Sequence, residues 1–391
     1  MKFVYVSSDI GIHVEAISDE LYQRLGDNFV FISTIEPGLD GGIHKYAEMG
    51  RDYLSKPYRL CAWESIEKEK EALMLIDDAD VVFGGGFPFN YIVNRIKNHK
   101  LTFYSSERWF KRPFPFVSLK GWISIYKTLI KNQNDNFRFL ALGAYCANDA
   151  DLLRVFKDKI YHFAYLVPID KYDVKEVVER KFSGKIRIMW CARFLDWKHP
   201  ELDVNLARTL LNNHFNEFVI TMVGDVNPIQ IAIKKKVETM HMGDYFRFID
   251  GLPNNEIREM MKESDVFLIT SDRREGWGVV LNEAMGSGCA IVASNQVGAV
   301  PVLLKHGQNG LIFKSKSVES LYNNVQKLID NREIGKRLAY NAYKTITEEW
   351  SAANVASRFI RLTQSILDDQ EIVYKTGPCS LARPCDTRIY D

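Results

Sequence analysis

Two glutamates eight positions apart, Glu275 and Glu283, flank a glycine-rich turn between an apolar run and a helical pattern. Gly276 and Gly278 let the backbone approach a ligand closely, and amides at a helix entrance favour a phosphate. The spacing places one carboxylate at the mouth of the loop and the other about two helical turns away on a similar side. This predicts a diphosphate at the loop, with one glutamate contacting a sugar and the other a ribose. The alternative is a solvated pair, because a strand, a glycine turn and a helix recur in every doubly wound fold.

Two cations follow an earlier apolar run in the same half of the chain. Arg193 and Lys198 come after the run 186–191. A departing diphosphate accumulates negative charge as a glycosidic bond breaks, and cations beyond a strand end can offset that charge. The pair alone is unremarkable, so its meaning depends on the sequence around it.

The segment 266–293 and its continuation to 313 closely resemble the signature of glycosyltransferase family 4, in which two glutamates are separated by seven residues. The resemblance extends back to about Lys185 and forward to Trp350. Within it, the stretch around Arg193 and Lys198 resembles the family's diphosphate-binding loop. The resemblance implies the GT-B architecture, an α/β fold of two Rossmann-like domains whose parallel sheets face a central cleft.

The same resemblance implies roles for individual residues. Glu283 would bind the ribose hydroxyls, and Arg193 and Lys198 would hold the diphosphate. With Glu275, which would meet the transferred sugar, those two cations form the predicted catalytic set. Transfer would proceed with retention: the acceptor hydroxyl attacks on the leaving-group face, the departing phosphate oxygen is the base, and no side-chain nucleophile is required. The other donor-binding positions implied are Gly276, Trp277, Gly278, Val279, Gly224, Asp250 and Gly251.

Short apolar runs alternate with helical patterns along the chain, which is typical of parallel sheets covered by helices. One series of predicted strands ends near residue 167 and a second begins at Ile186. We therefore predict an N-terminal acceptor domain over 1–169, a donor domain over 170–348, a helix over 349–368 that crosses back to the first domain, and a loosely ordered tail over 369–391. The predicted strands are 3–7, 29–33, 80–83, 101–105, 137–142, 161–167, 186–191, 218–223, 245–248, 266–270, 290–293 and 311–313.

The acceptor side carries a weaker signal. Gly11 and His13 follow the first predicted strand, and His13 is expected either to approach a substrate or to cap the next helix. Many family members carry a histidine after a later strand. This chain has Ser106, Glu107 and Arg108 there, and we predict that these three take its place on the acceptor side. A second glycine loop, 84–86, is either a tight turn or a further edge of the same site.

Composition limits the partners and the compartment. The net charge of +1, from 51 basic and 50 acidic residues, gives no global reason to expect nucleic acid. The chain opens on a predicted strand rather than a signal peptide, and its six scattered cysteines are expected to be reduced, so we expect a cytoplasmic protein, peripheral on the cytoplasmic face of the membrane. Asp77 and Asp80 resemble a metal-binding pair but lie at a helix-to-strand junction. We expect no metal, and no cofactor beyond the nucleotide diphosphate sugar as co-substrate.

Residues 108–131 depart from this neutrality, because they carry six basic side chains and no acidic one. Interfacial segments bury apolar side chains while their lysines meet anionic headgroups. The segment predicts contact with an anionic membrane surface; the alternative is an ordinary helix over 119–130 packed on the sheet with its lysines solvated. Its basic residues are Arg108, Lys111, Arg112, Lys120, Lys127 and Lys131, interleaved with Phe110, Phe114, Phe116, Trp122, Ile123, Ile125, Tyr126, Leu129 and Ile130.

The family resemblance, together with these patterns, implies a retaining, metal-independent hexosyltransferase. It would move a sugar from a nucleotide diphosphate sugar to a glycan or lipid-linked glycan, in capsule or other cell-surface polysaccharide biosynthesis. One alternative is a sugar-nucleotide epimerase of the same fold. The other alternative is a non-catalytic partner subunit that binds a nucleotide sugar. The retained cations and glutamates argue against it.

Overall fold

A computed structural model describes residues 1–36, 55–111 and 118–386. The chain divides into two compact units: Met1–Pro168 with Glu349–Cys385, and Ile169–Glu348. The strands are β1 Phe3–Ser7, β2 Phe29–Ser33, β3 Arg59–Cys61, β4 Val81–Gly85, β5 Thr102–Ser106, β6 Phe137–Leu142, β7 Ile160–Phe163, β8 Ile186–Cys191, β9 Phe218–Val223, β10 Phe246–Ile249, β11 Val266–Ile269, β12 Ala290–Ser294 and β13 Leu311–Phe313. The α-helices are α1 Glu15–Leu25, α2 Ile66–Asp78, α3 Asn90–Lys97, α4 Leu119–Ile125, α5 Cys146–Leu153, α6 Val174–Arg180, α7 Glu201–Asn212, α8 Pro228–Thr239, α9 Asn254–Glu263, α10 Val280–Gly286, α11 Val300–Leu303, α12 Val318–Asp330, α13 Arg332–Lys344 and α14 Ala352–Leu367.

The first unit is built on a parallel sheet with the strand order β3-β2-β1-β4-β5-β6-β7. Its inner strands are almost wholly buried because helices cover both faces, which is why they read as continuous apolar runs. The chain moves outward from β1 in one direction and from β4 in the other. The order therefore reverses between β1 and β4, and crevices for ligands open at such points, beyond the carboxyl ends of the strands.

The second unit repeats this plan with a parallel sheet of order β10-β9-β8-β11-β12-β13. Here the order reverses between β8 and β11. One core cluster packs aliphatic and aromatic side chains against this sheet, and it includes Trp190 of β8, which is almost wholly buried. The loops after β8 and β11 are thus the ones that the topology brings to a ligand crevice.

The predicted fold class is confirmed: both units are α/β with parallel sheets. Each predicted strand is present within a few residues, and six of them, including 3–7 and 218–223, have the predicted bounds. The sequence did not predict β3, which is only three residues long and begins with a charged side chain, Arg59.

Helix α14 belongs to the first unit although it follows the second in sequence. It packs against α1, where Arg24 Nη2 donates to the carbonyl of Ala353 at 3.2 Å. The ring of Phe359 lies 4.9 Å from that of Phe83 and 5.2 Å from that of Phe103, so the helix covers the middle of the sheet.

The prediction of a loosely ordered tail is wrong for the residues up to 386. Glu371 accepts a hydrogen bond from Arg138 Nη1 at 3.0 Å, and the amide of Ala382 donates to the carbonyl of Ile160 at 2.8 Å. Asn148 exchanges two hydrogen bonds with the backbone of Cys385, at 2.9 and 3.0 Å. These contacts fix the segment along β7 and α5, which its turn-rich composition did not indicate.

Two global features complete the description. In the parts of the chain that the structure covers, no helix combines the length and apolar character needed to cross a bilayer. All six cysteines lie in the described residues and are free thiols.

Candidate active site

The predicted donor residues lie in a row along one edge of the second sheet. Gly224 follows β9, Asp250 and Gly251 follow β10, Arg193 follows β8, and Glu275 follows β11. Since all these strands are parallel and adjacent, their carboxyl ends lie side by side. The site is thus assembled from loops that are distant in sequence and neighbouring in the sheet.

The centre of the row is an ion pair between Lys198 and Glu275. Lys198 Nζ donates directly to a carboxylate oxygen of Glu275, and both side chains are more than four-fifths buried. Lys198 belongs to the loop after β8 and Glu275 to the loop after β11, so the pair spans the point where the strand order reverses. Arg193 lies exposed on the first of these loops, available to a ligand from solvent. The structure therefore brings together two of the three predicted catalytic residues in direct contact.

Glu283 occupies a tight polar setting on α10. Asn254 Nδ2 donates to Glu283 Oε1 at 2.6 Å. Burial raises the pKa of the Glu283 carboxyl, and the neighbouring Arg258 and the Asn254 hydrogen bond offset only part of that rise. Within the described residues, Nε and Nη2 of Arg258 are buried without a hydrogen-bond partner. Sequence reasoning identified the carboxylate but missed Asn254 and Arg258, which are supplied by another helix.

The glycine loop has the compact geometry expected of a backbone binding site. Gly278 has φ +91°, and a Cβ there would lie 2.9 Å from Val297 Cγ1 and 3.3 Å from Glu275 Cγ, so a side chain would disturb both the backbone and the glutamate. Across the described chain, no acceptor pairs with the amides of Gly276, Gly278 and Val279.

The side chain of Trp277 packs into the core, and the donor contact predicted at this position stays a prediction. The indole is completely buried and its Nε1 donates to Asn282 Oδ1 at 2.9 Å. It anchors the loop to α10 from inside the core, and the Trp277 carbonyl accepts from the Ala299 amide at 3.0 Å. A side chain this large next to a buried strand packs inward, and Trp277 as a whole is buried.

Gly224, Asp250 and Gly251 lie at the far end of the row. A Cβ on Gly224 would lie 2.2 Å from the carbonyl oxygen of Ala192, so the glycine lets β8 and β9 approach at their ends. A Cβ on Gly251 would lie 2.4 Å from an oxygen of Asp225, whereas Asp250 is exposed. Gly224 therefore has a packing role set by backbone, whereas the atom nearest to Gly251 is the end of a flexible side chain. A donor contact at these positions remains a prediction.

The predicted acceptor residues of the first unit converge on one cavity of about 490 Å³. Gly11, His13, Ser106, Glu107 and Arg108 all line it, at the carboxyl ends of β1, β4 and β5. This is the reversal point of the first sheet. Sequence reasoning missed several further lining residues, which are aromatic or hydroxyl-bearing: Tyr5, Ser7, Ser8, Phe83, Tyr104, Ser105, Phe163 and Tyr165.

Each charged group of the cavity wall is neutralised by a neighbour. Glu107 Oε2 accepts from Lys111 Nζ at 2.5 Å, and Arg108 Nη2 donates to Asp149 Oδ1 at 3.3 Å. Arg108 also lies over the ring of Tyr145, 5.1 Å from its centroid. The wall is accordingly polar but balanced in charge, which suits a hydroxyl-rich neutral ligand better than a strongly anionic one.

Asp9, after β1, forms a further buried ion pair that the sequence did not reveal. Arg59 Nη2 donates to Asp9 Oδ1, and Arg59 Nε donates to Ser33 Oγ at 3.0 Å. The pair joins β3 to the loop after β1, and Asp9 itself lines the cavity. The only trace of this ion pair in the sequence is an isolated charged residue beside two apolar runs.

The acidic residues that superficially resembled a metal site have structural partners. Asp80 Oδ2 accepts from the Lys2 amide at 2.7 Å, and Asp77 Oδ2 accepts from Asn94 Nδ2 at 2.7 Å. Among the residues 1–36, 55–111 and 118–386, no group of three or more histidine, cysteine or acidic side chains is arranged to hold a metal ion.

Comparison with known proteins agrees with this geometry. Residues 173–345 match the family model of glycosyl transferases group 1. An uncharacterized glycosyltransferase of Methanocaldococcus jannaschii is 23% identical over 54% of this chain and 53% of its own length. A GDP-mannose-dependent phosphatidylinositol monomannoside mannosyltransferase of Mycobacterium tuberculosis is 24% identical over 34% of this chain and 35% of its own. The matched stretches span about half the length of the first curated relatives.

The fold comparison covers nearly the whole chain. The Anabaena protein HepE, solved in complex with UDP, superposes with a TM-score of 0.67 over 93% of this chain and 100% of its own, at 14% identity. The second unit is therefore similar to glycosyl transferases group 1 over nearly its whole length, and the chain has the two-unit α/β fold of GT-B glycosyltransferases.

Proposed function

We propose that the chain is a retaining glycosyltransferase that moves a hexose from a nucleotide diphosphate sugar to a glycan or lipid-linked glycan in cell-surface polysaccharide biosynthesis. The observation that carries the proposal is the Lys198–Glu275 pair at the strand-order reversal of the domain matching group 1 glycosyltransferases. A cation and a carboxylate are thereby in place for the two charges that develop in the reaction: negative on the leaving diphosphate and positive on the sugar ring.

In the proposed site, Arg193 and Lys198 bind the diphosphate and Glu275 contacts the sugar. Glu283 accepts hydrogen bonds from the ribose, with Asn254 fixing the orientation of its carboxylate. The departing phosphate oxygen accepts the proton of the attacking hydroxyl, so the mechanism needs neither a protein nucleophile nor a metal. The balanced, aromatic cavity of the first unit is the proposed acceptor site.

The proposal does not specify which base and which sugar the donor carries. HepE was solved with UDP, whereas the mycobacterial relative is described as GDP-mannose-dependent, so both nucleotides belong in the test. The decisive experiment incubates the protein with UDP- and GDP-sugars, with and without lipid and glycan extracts as acceptors. Sugar transfer that requires an acceptor supports the proposal. Conversion of the donor sugar without any acceptor indicates an epimerase, and binding without either reaction indicates a non-catalytic subunit.

The proposal includes peripheral attachment to an anionic membrane through α4 and the π-helical turn Tyr126–Ile130. Four large apolar side chains spaced by four, three and four residues are exposed there: Leu119, Ile123, Tyr126 and Ile130, by 76%, 46%, 55% and 37%. On a helix this spacing forms one stripe. The opposite face supplies the packing, since Leu129 is buried and Ile125 contacts the core.

Three exposed lysines, Lys120, Lys127 and Lys131, lie on this same short segment. An apolar stripe flanked by lysines is the arrangement of an interfacial helix. Two members of the predicted basic set do not contribute freely: Arg108 is buried against Asp149, and Lys111 is paired with Glu107. Arg112, Phe114 and Phe116 lie outside the described residues.

Vesicle flotation tests this attachment. Each lysine near an anionic surface contributes about 1 kcal/mol, so changing Lys120, Lys127 and Lys131 to Glu should lower binding at least 100-fold, on the order of the loss of three such contributions. A matched control makes the same change at three exposed lysines of the second unit, Lys171, Lys175 and Lys185. Equal flotation of the two triple variants, or binding that does not depend on salt and lipid charge, would rule out this surface as the membrane contact.

A further inference from the structure

The turn that carries Lys198 is tied to the loop that carries Glu275 by more than their ion pair. The amide of Asp272 donates to the carbonyl of Trp197 at 2.9 Å, and Thr270 Oγ1 donates to the carbonyl of Lys198 at 2.5 Å. The turn Asp196–Lys198 is a single 3₁₀ turn, and the residue after it, His199, has the left-handed conformation with φ +50°. Two irregular segments are thus held together beside the proposed donor site.

His199 forms a bridge between two carboxylates. Its Nδ1 lies 2.8 Å from Glu201 Oε1, and its Nε2 lies 3.2 Å from Asp272 Oδ2. The imidazole is 12% exposed. Glu201 is in the first turn of α7, whereas Asp272 is in the loop after β11, so the ring connects the two segments across 73 positions of sequence.

The geometry selects one protonation state of this ring. An ionised carboxylate only accepts hydrogen bonds, and a neutral imidazole donates from one nitrogen and accepts at the other. With neutral His199, one ring lone pair would face a carboxylate lone pair. Only the imidazolium donates to both Glu201 and Asp272, and each bond is then charge-assisted.

The other charged groups around the bridge are compatible with a protonated His199. Arg274 donates to Asp272 from Nη2 at 3.0 Å and to Asp196 from Nη1 at 2.8 Å. Lys316 Nζ lies 3.4 Å from Asp272 Oδ2 but is 60% exposed, so solvent screens it. A further nearby cation, Lys236 of α8, acts on Glu201.

The titration behaviour agrees with the contacts. The hydrogen bond to Glu201 raises the pKa of His199, burial lowers it by less, and the hydrogen bond to Asp272 adds to the rise. Burial alone would raise the pKa of Asp272, but the hydrogen bonds from Arg274 and His199 lower it to about 2. Asp272 therefore stays ionised at neutral pH, and His199 is the group of this bridge that changes charge.

We propose that protonated His199 is a positioning residue, which joins Glu201 to Asp272 and so holds Lys198 and Glu275 in register for the donor. This role rests on the proposed function, because it assigns the diphosphate to Lys198. It makes donor binding depend on pH through a residue that does not touch the donor.

The direction of the dependence follows from the raised pKa. The bridge is complete below the ordinary histidine value of about 6.5 and is lost as the pH rises through the higher value of the folded protein. The donor KM should therefore rise about tenfold between roughly pH 6 and pH 9, the effect of losing one charge-assisted contact. The maximal rate kcat should change less, since His199 acts on placement rather than on the reacting atoms.

The test compares His199→Asn with a matched control, His241→Asn. Asparagine tolerates the left-handed conformation and carries no charge at any of these pH values. His241 also has positive φ, +54°, and lies exposed after α8 in the same unit. We expect His199→Asn to have a raised donor KM at about pH 6 and a flat KM above it, while His241→Asn keeps the wild-type profile. His199→Gly, which has no strain at positive φ, is the second variant if the asparagine protein folds poorly.

A readout independent of transfer is the imidazole titration followed by NMR, with the His199 signal assigned by its loss in the variant. A titration midpoint above 6.5 supports the bridge, and one at or below 6.5 overturns it. A wild-type pH profile in both His199 variants overturns the positioning role even if the midpoint is high. If neither UDP nor GDP, nor any of their sugars, binds wild type at any pH, the proposed function fails and the donor role fails with it, while the NMR midpoint still decides the bridge.

Discussion

Replacing Glu283 by Gln should separate the stability of the donor domain from its affinity for nucleotide. The carboxyl of Glu283 has a raised pKa because it is buried, so the folded protein holds its proton more tightly than the unfolded chain does. At neutral pH the ionised side chain therefore opposes folding. This destabilisation begins as the pH rises above about 4.3, the pKa of a glutamate in the unfolded chain. Glutamine removes this charge and keeps a carbonyl oxygen that can accept from Asn254 Nδ2.

Glu283→Gln should have opposite effects on thermal stability and on nucleotide affinity. At neutral pH, Glu283→Gln should melt at the same temperature as wild type or higher, and any gain should vanish near pH 4, where the glutamate is protonated. Nucleotide affinity should fall, because a hydrogen bond between an ionised carboxylate and a hydroxyl contributes about 1.5 to 3 kcal/mol. That free energy corresponds to a loss of roughly tenfold to hundredfold in affinity.

The assay pairs thermal melting at several pH values with calorimetric titration of UDP and GDP. Glu259→Gln is the control, because Glu259 is exposed on α9 and its only described ion pair is with Lys262, at 2.6 Å. It should leave both properties unchanged. A lower melting temperature for Glu283→Gln at neutral pH would contradict the electrostatic argument, and unchanged nucleotide affinity would remove Glu283 from the ribose site.

Three further outcomes are expected. Glu275→Ala should lower kcat more than donor affinity, by on the order of tenfold to hundredfold, because its contact strengthens as the sugar becomes cationic; equal kinetics with wild type would remove it from the site. Transfer should persist in EDTA, since Arg193 and Lys198 can offset the diphosphate charge, and activity restored only by magnesium or manganese would refute this. Asp149→Asn should lower the free energy of unfolding of the first unit by about 3 kcal/mol in urea titration, because it leaves the buried Arg108 charge uncompensated. A change below about 1 kcal/mol would show that the pair is not needed there.

Most of the fold was predictable because parallel strands buried on both faces are short apolar runs, and such runs are visible one at a time. Strand β3 is the exception, and it shows where a short apolar run fails as a signal. Strand β3 is formed by Arg59, Leu60 and Cys61, which pair with β2, and Arg59 contacts Asp9 and Ser33 only after folding. No pattern within three residues can indicate a partner 50 positions away.

The candidate site was predictable in the same uneven way. Glu275, Glu283 and the glycines between them lie within one continuous stretch, so their spacing could be interpreted directly. His199 and Asp272 are 73 positions apart, and only the pairing of β8 with β11 brings them together. Trp277 was assigned to the donor from the family resemblance, yet side-chain direction in an irregular loop depends on core packing that sequence spacing does not specify.

The ion pair between Lys198 and Glu275 has a consequence for how a donor would enter the proposed site. Each side chain is mostly buried, and a lone charge at that depth would be costly, so the pair stabilises both groups while no ligand is bound. A diphosphate that takes Lys198 must separate the pair, which leaves Glu275 in need of a new partner. The sugar hydroxyls of the same donor are such partners. A nucleotide without a sugar would satisfy Lys198 alone, so on this reasoning the intact nucleotide sugar should bind more tightly than the nucleotide diphosphate, and Glu275→Gln should remove that difference.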